Sequence, residues 1–189
     1  MGLTEKKSAA ELSTFIESYW CYDAKRISDL VLFPDGTFNI LFAFHPFKLK
    51  GANRTFKPGV YLIPVSSIPI TIRSGNALYG IRFKAFSLLN IMGKNASQLT
   101  LLNDLESFKT RCPSLNHIQS KIDQEQNIDE ITAVLENIAF ELLSKEMNVN
   151  LELRDKVNYI LDNKGQIRVD EMAKEFGVSR QALHKLWTH

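Results

Sequence analysis

The last eleven residues of the chain, 179–189, have side chains suited to reading DNA. They include no acidic residue, and the relevant polar side chains are those of Ser179, Arg180, Gln181, His184, Lys185 and Thr188. Arginine and glutamine can make paired hydrogen bonds to guanine and adenine edges in the major groove. We therefore predict that Arg180, Gln181 and His184 contact bases. Lys185 and Thr188 are suited to phosphates, and Ser179 stands where the N-cap of a helix is expected.

Residues 169–187 have the apolar spacing of a helix-turn-helix, in which two short helices press against each other. Ala173 is small where the second helix would cross, and Gly177 stands where the turn favours a positive φ. The positions that would form the contact are all apolar: Met172, Phe176, Val178, Leu183 and Leu186. The pattern predicts a helix-turn-helix. Two alternatives stay open, a generic pair of amphipathic helices and a module of the same shape that docks to a protein.

A second candidate site is a small-molecule pocket in the first half of the chain. A β domain with aromatic residues in its interior can hold a small ligand, and Arg82 could anchor an anionic group. Simple core packing explains each aromatic residue equally well, and Arg82 could also point into solvent. The candidate residues are Trp20, Tyr22, Phe42, Tyr61, Tyr79 and Arg82.

Catalytic and metal-binding patterns are absent from the sequence. Barrel enzymes that bind a metal usually need a His-x-His pair and a glutamate, whereas residues 30–90 contain one histidine, His45, and no glutamate. No glycine-rich phosphate loop, nucleophile elbow or carboxylate pair is found. We expect no cofactor, no metal and no enzymatic activity.

Short β-strands are predicted for the first half of the chain, preceded by a helical segment at residues 11–19. The segments SDLVLF, TFNILFAF, GVYLIPV, IPITIR and ALYGIRF are rich in β-branched and aromatic residues. Pro34, Asp35 and Gly36 supply the turn between the first two. Several short strands separated by turns favour a small β-barrel or sandwich, of which the cupin barrel is one form.

Helices are predicted from residue 96 onward. Leu99, Leu102, Leu105 and Phe108 recur on one helical face. The longest candidate runs from Ile128 to Lys145, with an apolar face of Ile131, Leu135, Ile138 and Leu142 that Val134 and Phe140 widen. This face is expected to pack within the monomer, with a subunit interface as the alternative. A third helix is predicted from Leu151 to about Asn163, before Gly165.

Charge is unevenly distributed, although the whole chain carries only +2. Residues 1–97 have 12 basic and 6 acidic residues, whereas residues 98–150 have 4 basic and 9 acidic residues. The acidic middle is therefore not expected to contact DNA. The sequence shows no signal peptide and no apolar run long enough to span a bilayer. We expect a cytoplasmic protein in which Cys21 and Cys112 are reduced thiols.

Residues 151–189 resemble the first half of the DNA-binding domain of AraC/XylS-type transcription regulators. The resemblance lies in the helix RDKVNYILDN, in Gly165 and in the segment GQIRVDEMAKEFGVSRQALHKLW. More loosely, ESYWCYD, LFPDGTFNILFAF and YGIRFKAFSLLNIMG are similar to the sensory domain of some family members. In that family two helix-turn-helix units read successive major grooves. The linking helix and second unit have no counterpart here, so we expect a fragment, with a natural protein holding a single unit as the alternative.

The resemblance implies a DNA-binding transcription regulator with an α+β fold. Residues 1–95 would form a β-rich sensory domain, residues 96–149 a helical connector and candidate homodimer interface, and residues 150–189 the first half of the DNA-binding domain. Double-stranded DNA and a small-molecule effector would be the partners. Since one recognition helix makes few contacts, we expect weak, salt-sensitive DNA binding by this chain.

Overall fold

The computed structural model describes residues 2–52, 54–92, 103–104, 112–123, 127–144, 151–163 and 166–188. The first sheet has six antiparallel strands in the order β1-β2-β9-β4-β7-β10. Their bounds are β1 Gly2–Lys7, β2 Ile16–Asp23, β4 Thr37–Ala43, β7 Gly59–Ile63, β9 Leu78–Lys84 and β10 Asn103–Asp104. The second sheet has four antiparallel strands in the order β3-β8-β5-β6. These are β3 Ser28–Leu32, β5 Phe47–Leu49, β6 Thr55–Phe56 and β8 Ile70–Ser74.

The two sheets pack face to face as a sandwich. The core between them combines Trp20, Leu41 and Ile63 of the first sheet with Leu30 and Ile72 of the second. Alternation along the strands produces this arrangement, since successive side chains point to opposite faces. Among the described strands none pairs across the two sheets, so the sandwich is open and the predicted alternative of a closed barrel is wrong.

Helices cover the other face of the first sheet. After α1 (Ser87–Met92), a 3-10 helix (Pro113–His117) leads into α2 (Ile118–Ile122), and α3 follows (Ile128–Ser144). The α3 residues Ile131, Leu135, Ile138 and Leu142 are buried in one cluster with residues of the first sheet. The predicted packing of this helix within the monomer is thus confirmed. Phe140 is exposed, however, so it does not widen the buried face as predicted.

Two further predictions differ from the structure. Residues 11–15 form turns and residues 16–19 begin β2, so the helix predicted at residues 11–19 is wrong. Aromatic side chains at Tyr19 and Trp20, which bury on opposite faces of a sheet, account for the strand. Asn103 and Asp104 pair with β7 in a region predicted to be helical. Leu99, Leu102, Leu105 and Phe108 lie outside the described residues, as do Lys145 and Gly165.

The turn at Pro34–Gly36 connects the two sheets. Gly36 has a φ of 76°, and Thr37 donates its backbone N–H to the Asp35 carboxylate at 3.0 Å. The chain leaves β3 in the second sheet and enters β4 in the first. The predicted turn is present, but it connects two layers of the sandwich and not two neighbouring strands.

Three helices end the chain: α4 (Leu151–Asp162), α5 (Val169–Glu175) and α6 (Arg180–Thr188). The bounds of α4 agree with the third helix predicted from sequence, and α5 and α6 lie where the spacing of residues 169–187 predicted two short helices. Within the described ranges, no helix is long and apolar enough to cross a membrane.

Candidate nucleic-acid interface

A tight turn holds α5 and α6 together. Gly177 has a φ of 61°, in the left-handed region that favours glycine. The Val178 N–H donates to the Ala173 carbonyl at 2.9 Å, and the Gly177 N–H donates to the Lys174 carbonyl at 3.2 Å. These bonds satisfy carbonyls at the end of α5 and direct the chain into α6.

A small apolar cluster fixes the angle between these helices. Met172, Ala173 and Leu183 are buried in it, with Phe176 and Val178 partly buried beside them. Tyr159 of α4 meets the Phe176 ring edge-on, with the ring centroids 5.3 Å apart. The sequence pattern predicts all five of these positions in and between α5 and α6, but it does not predict the contact with Tyr159. The predicted Leu186 lies on α6, and Lys185 and Thr188 lie near its end.

Ser179 caps α6. Its hydroxyl accepts a hydrogen bond from the Ala182 N–H at 3.1 Å, three residues into the helix. The N-cap role predicted for this serine is therefore present in the structure. At the start of α5, the Glu171 carboxylate accepts a hydrogen bond from the Arg168 N–H at 3.0 Å.

Replacing this cap should loosen α6 selectively. We expect Ser179→Ala to cost about 1 kcal/mol, because the Ala182 N–H loses its acceptor. Amide hydrogen exchange in α6 should speed up while exchange in the β-sheets stays unchanged. Gln181→Ala, at an exposed position of the same helix, is the control and should leave α6 exchange unchanged or slower. Equal exchange in wild type and Ser179→Ala would show that the hydroxyl does not support the helix.

The outer face of α6 presents the predicted DNA-reading residues to solvent. Arg180, Gln181 and His184 are exposed, as is Ser179. Sequence reasoning missed Asp170 of α5, whose carboxylate lies 2.9 Å from the Arg180 Nε. The two side chains are 55% and 68% exposed, so the ion pair contributes at most about 1 kcal/mol. Arg180 can therefore exchange this partner for a base or a phosphate at little cost.

The aromatic candidates for a ligand pocket lie on two opposite faces of the first sheet. Trp20, Tyr22 and Tyr61 belong to the core between the sheets, whereas Phe42 and Tyr79 face the helical layer. The polar atoms of the first three have protein partners: Trp20 Nε1 donates to Asn39 at 3.0 Å, Tyr22 Oη to Ser28 at 2.7 Å, and Tyr61 Oη to the Lys57 carbonyl at 2.8 Å. The structure does not bring the five side chains together around one cavity.

Arg82 lies apart from these aromatic residues, in a charged cleft. Its side chain is 15% exposed, with Nη1 3.0 Å from the Glu5 carboxylate and Nε 3.7 Å from that of Asp35. The cleft has a volume of about 440 Å³ and is lined by Glu5, Lys7, Glu17, Asp35, Gly36, Thr37, Arg82, Lys84, Asn158 and Asp162. Because two carboxylates already flank the guanidinium, an anion would have to displace one of them. A ligand role for Arg82 stays a prediction.

Both cysteines are free thiols, and neither is activated as a nucleophile. Burial, and then the charge of Asp23, raise the pKa of Cys21 to about 11. Burial is the main cause, and the hydrogen bond to the Glu141 carboxylate and its charge the second, of a Cys112 pKa raised to about 12. Thiolates, not thiols, are the reactive species. In the part of the chain that the structure describes, no cluster of three histidine, cysteine or acidic side chains could hold a metal ion.

Comparison with known proteins finds similar solved structures, among them CuxR and ToxT. No protein-family model and no curated protein matches the chain. The AraC-like transcriptional activator CuxR is 12% identical, with a TM-score of 0.38 over 98% of this chain and 79% of that one. ToxT from Vibrio cholerae O395 is 14% identical, with a TM-score of 0.38 over 88% of this chain and 71% of that one. Neither similarity is high enough to assign a function to this chain.

Proposed function

We propose that this chain is a DNA-binding transcription regulator of the AraC type, in which α6 enters the major groove. One observation supports this proposal above the others: the exposed face of α6 carries Arg180, Gln181 and His184, while its opposite face is buried through Leu183. A helix whose inner face is packed in this way can present its outer side chains to base edges while that packing stays intact.

Binding in this proposal proceeds by an exchange of partners at Arg180. In the free protein its guanidinium is paired with Asp170. On DNA, Arg180 and Gln181 would bond to base edges, and Lys185 and Thr188, nearer the end of α6, would hold phosphates. His184 lies one turn after Arg180 on the same helix and extends the contact along the groove.

The rest of the chain would regulate this contact. We assign the sensory role to residues 1–95, the connector and a candidate homodimer interface to residues 96–149, and DNA binding to residues 150–189. A small-molecule effector that binds one arrangement of these parts more tightly would shift the population toward it and change DNA affinity. Asn103 and Asp104 of the connector pair with β7 of the sensory part, so the two are directly linked through a sheet.

Fluorescence anisotropy with a labelled duplex at several salt concentrations tests the proposal. A cationic contact surface should give weak, micromolar or weaker binding whose logarithm falls linearly with the logarithm of salt concentration. Sequences selected from a random duplex library should bind better than the unselected pool. Gln181→Ala should remove about 1–3 kcal/mol of the preference at one base pair.

Gln119→Ala is the matched control, because Gln119 is also exposed on a helix but lies in α2, within the acidic part of the chain. It should bind like the wild-type chain. Binding that is independent of salt would favour the alternative function, a helical module that docks to a protein, because protein docking releases no phosphate counterions. Nanomolar specific binding by the monomer would contradict the expectation that one recognition helix binds weakly.

A further inference from the structure

The outer face of the second sheet, away from the sandwich core, is strongly basic. Lys48 of β5 and Arg73 of β8 are register partners on adjacent strands, and both are exposed. Lys50 lies in the turn that follows β5, is also exposed, and is close enough to Asp29 of β3 for its charge to lower the pKa of that carboxyl. These three residues are called here the cationic sheet face.

Little negative charge balances this face. Residues 36–103 contain eight lysines and arginines and no acidic residue. Asp29 of β3 is the acidic partner of Arg73, with bonds of 2.7 and 3.2 Å from the guanidinium. The bond from Arg73, together with the nearby charges of Arg73 and Lys50, lowers the pKa of the Asp29 carboxyl. One carboxylate therefore faces three cations, and the surface keeps a positive charge.

The cationic sheet face also borders a shallow depression of about 200 Å³. Lys48 and Arg73 line it together with the exposed Thr55, the register partner of Lys48 on β6. Ser74 also lines it, but its side chain is buried and its hydroxyl donates to the Asn76 carbonyl at 2.9 Å. The remaining lining residues are Ile27, Pro46, Phe47 and Gly75. Cationic and hydroxyl side chains around a depression are the groups that proteins use to hold phosphates.

We propose that the cationic sheet face binds the phosphate backbone of double-stranded DNA, as a second contact separate from α6. The identification of the polyanion as DNA rests on the proposed function. The positive charge and the depression are observed independently of that proposal. An anionic membrane is the alternative partner, and vesicle binding distinguishes it from DNA.

Salt titrations of DNA binding with two matched double variants test this inference. Lys48→Gln with Lys50→Gln removes two charges from the cationic sheet face and leaves the Arg73–Asp29 pair intact. Lys84→Gln with Lys121→Gln removes two charges elsewhere and is the control. Each phosphate contact adds about 0.9 to the slope of log affinity against log salt. We expect the first variant to lower that slope by about 1–2 and to bind about tenfold or more weakly at 0.1 M salt, and the control to match wild type.

A slope and affinity equal to wild type in the Lys48/Lys50 variant would overturn the inference. So would stronger binding of the wild-type chain to vesicles containing phosphatidylserine than to DNA, lost in the same variant. Self-association that disappears in that variant would also overturn it, since a second copy would then cover the face.

A third variant, Arg180→Gln with Gln181→Ala, separates this inference from the proposed function. If DNA binding depends on this pair but not on Lys48 and Lys50, the proposed function stands and the inference is wrong. If binding depends on Lys48 and Lys50 alone, the cationic sheet face is supported and the role of α6 is wrong. Absence of DNA binding by the wild-type chain would overturn both.

Discussion

Gly80→Ala should destabilise the protein by about 3 kcal/mol, at the upper end of the usual cost of overpacking. A Cβ atom added at Gly80 would lie 2.2 Å from two carbon atoms of the Trp20 ring. The ring cannot move away easily, because Trp20 is fully buried and its Nε1 donates to Asn39. In a strand free of such contact, alanine would be favoured over glycine by about 0.5–1 kcal/mol. The contact with Trp20 therefore makes the substitution destabilising instead of stabilising. Thermal unfolding should shift down by about 6–12 °C.

Gly2→Ala is the matched control for this prediction, since Gly2 is also in a strand of the first sheet but a Cβ there meets nothing within 4 Å. It should leave the unfolding free energy unchanged or slightly higher. Trp20→Phe should relieve part of the Gly80→Ala loss in the double variant, because neighbouring substitutions are not additive. A Gly80→Ala protein as stable as wild type would show that the Trp20 ring does not pack over this glycine.

Phe42→Ala should cost about 3–5 kcal/mol in unfolding free energy, as truncation of a buried aromatic residue does. Phe42 is 0% exposed and belongs to the core between the first sheet and the helical layer. Chemical denaturation monitored by circular dichroism measures the loss. This prediction separates two roles for the residue, because a side chain that lines a ligand pocket contributes less to the stability of the free protein than a fully packed one.

Phe140→Ala is the control, since Phe140 is 57% exposed on α3 and its truncation should change stability by no more than about 0.5 kcal/mol. A loss below about 1 kcal/mol at Phe42 would favour a pocket over a packed core at that position. Equal losses at both positions would contradict the placement of α3 on the first sheet.

Local patterns in the sequence were sufficient for most elements of secondary structure. The strand segments from Ser28 onward and the helix from Ile128 have strong periodicity, and the structure has elements at these places. The helix predicted at residues 11–19 failed because β2 pairs with both β1 and β9, and neither partner is visible in the local sequence. Tertiary pairing overrides local propensity in such segments.

The candidate DNA-reading residues are close together in sequence, which is why they could be named without a structure. The apolar spacing from Met172 to Leu183 orients a helix, and the orientation places Arg180, Gln181 and His184 on its outer side. Asp170 was missed because its relation to Arg180 depends on the angle between α5 and α6.

The sequence by itself determined the strand and helix segments, the Ser179 cap and the acid-free face of α6, because each depends on residues within a few positions of one another. Only the tertiary structure decided which residues meet across the sandwich. It separated Trp20 and Phe42 onto opposite faces of one sheet, enclosed Arg82 between Glu5 and Asp35, and aligned Lys48 with Arg73. The physical reason is that strand order and register join segments tens of residues apart, and local periodicity specifies which face a side chain occupies but not which strand lies beside it.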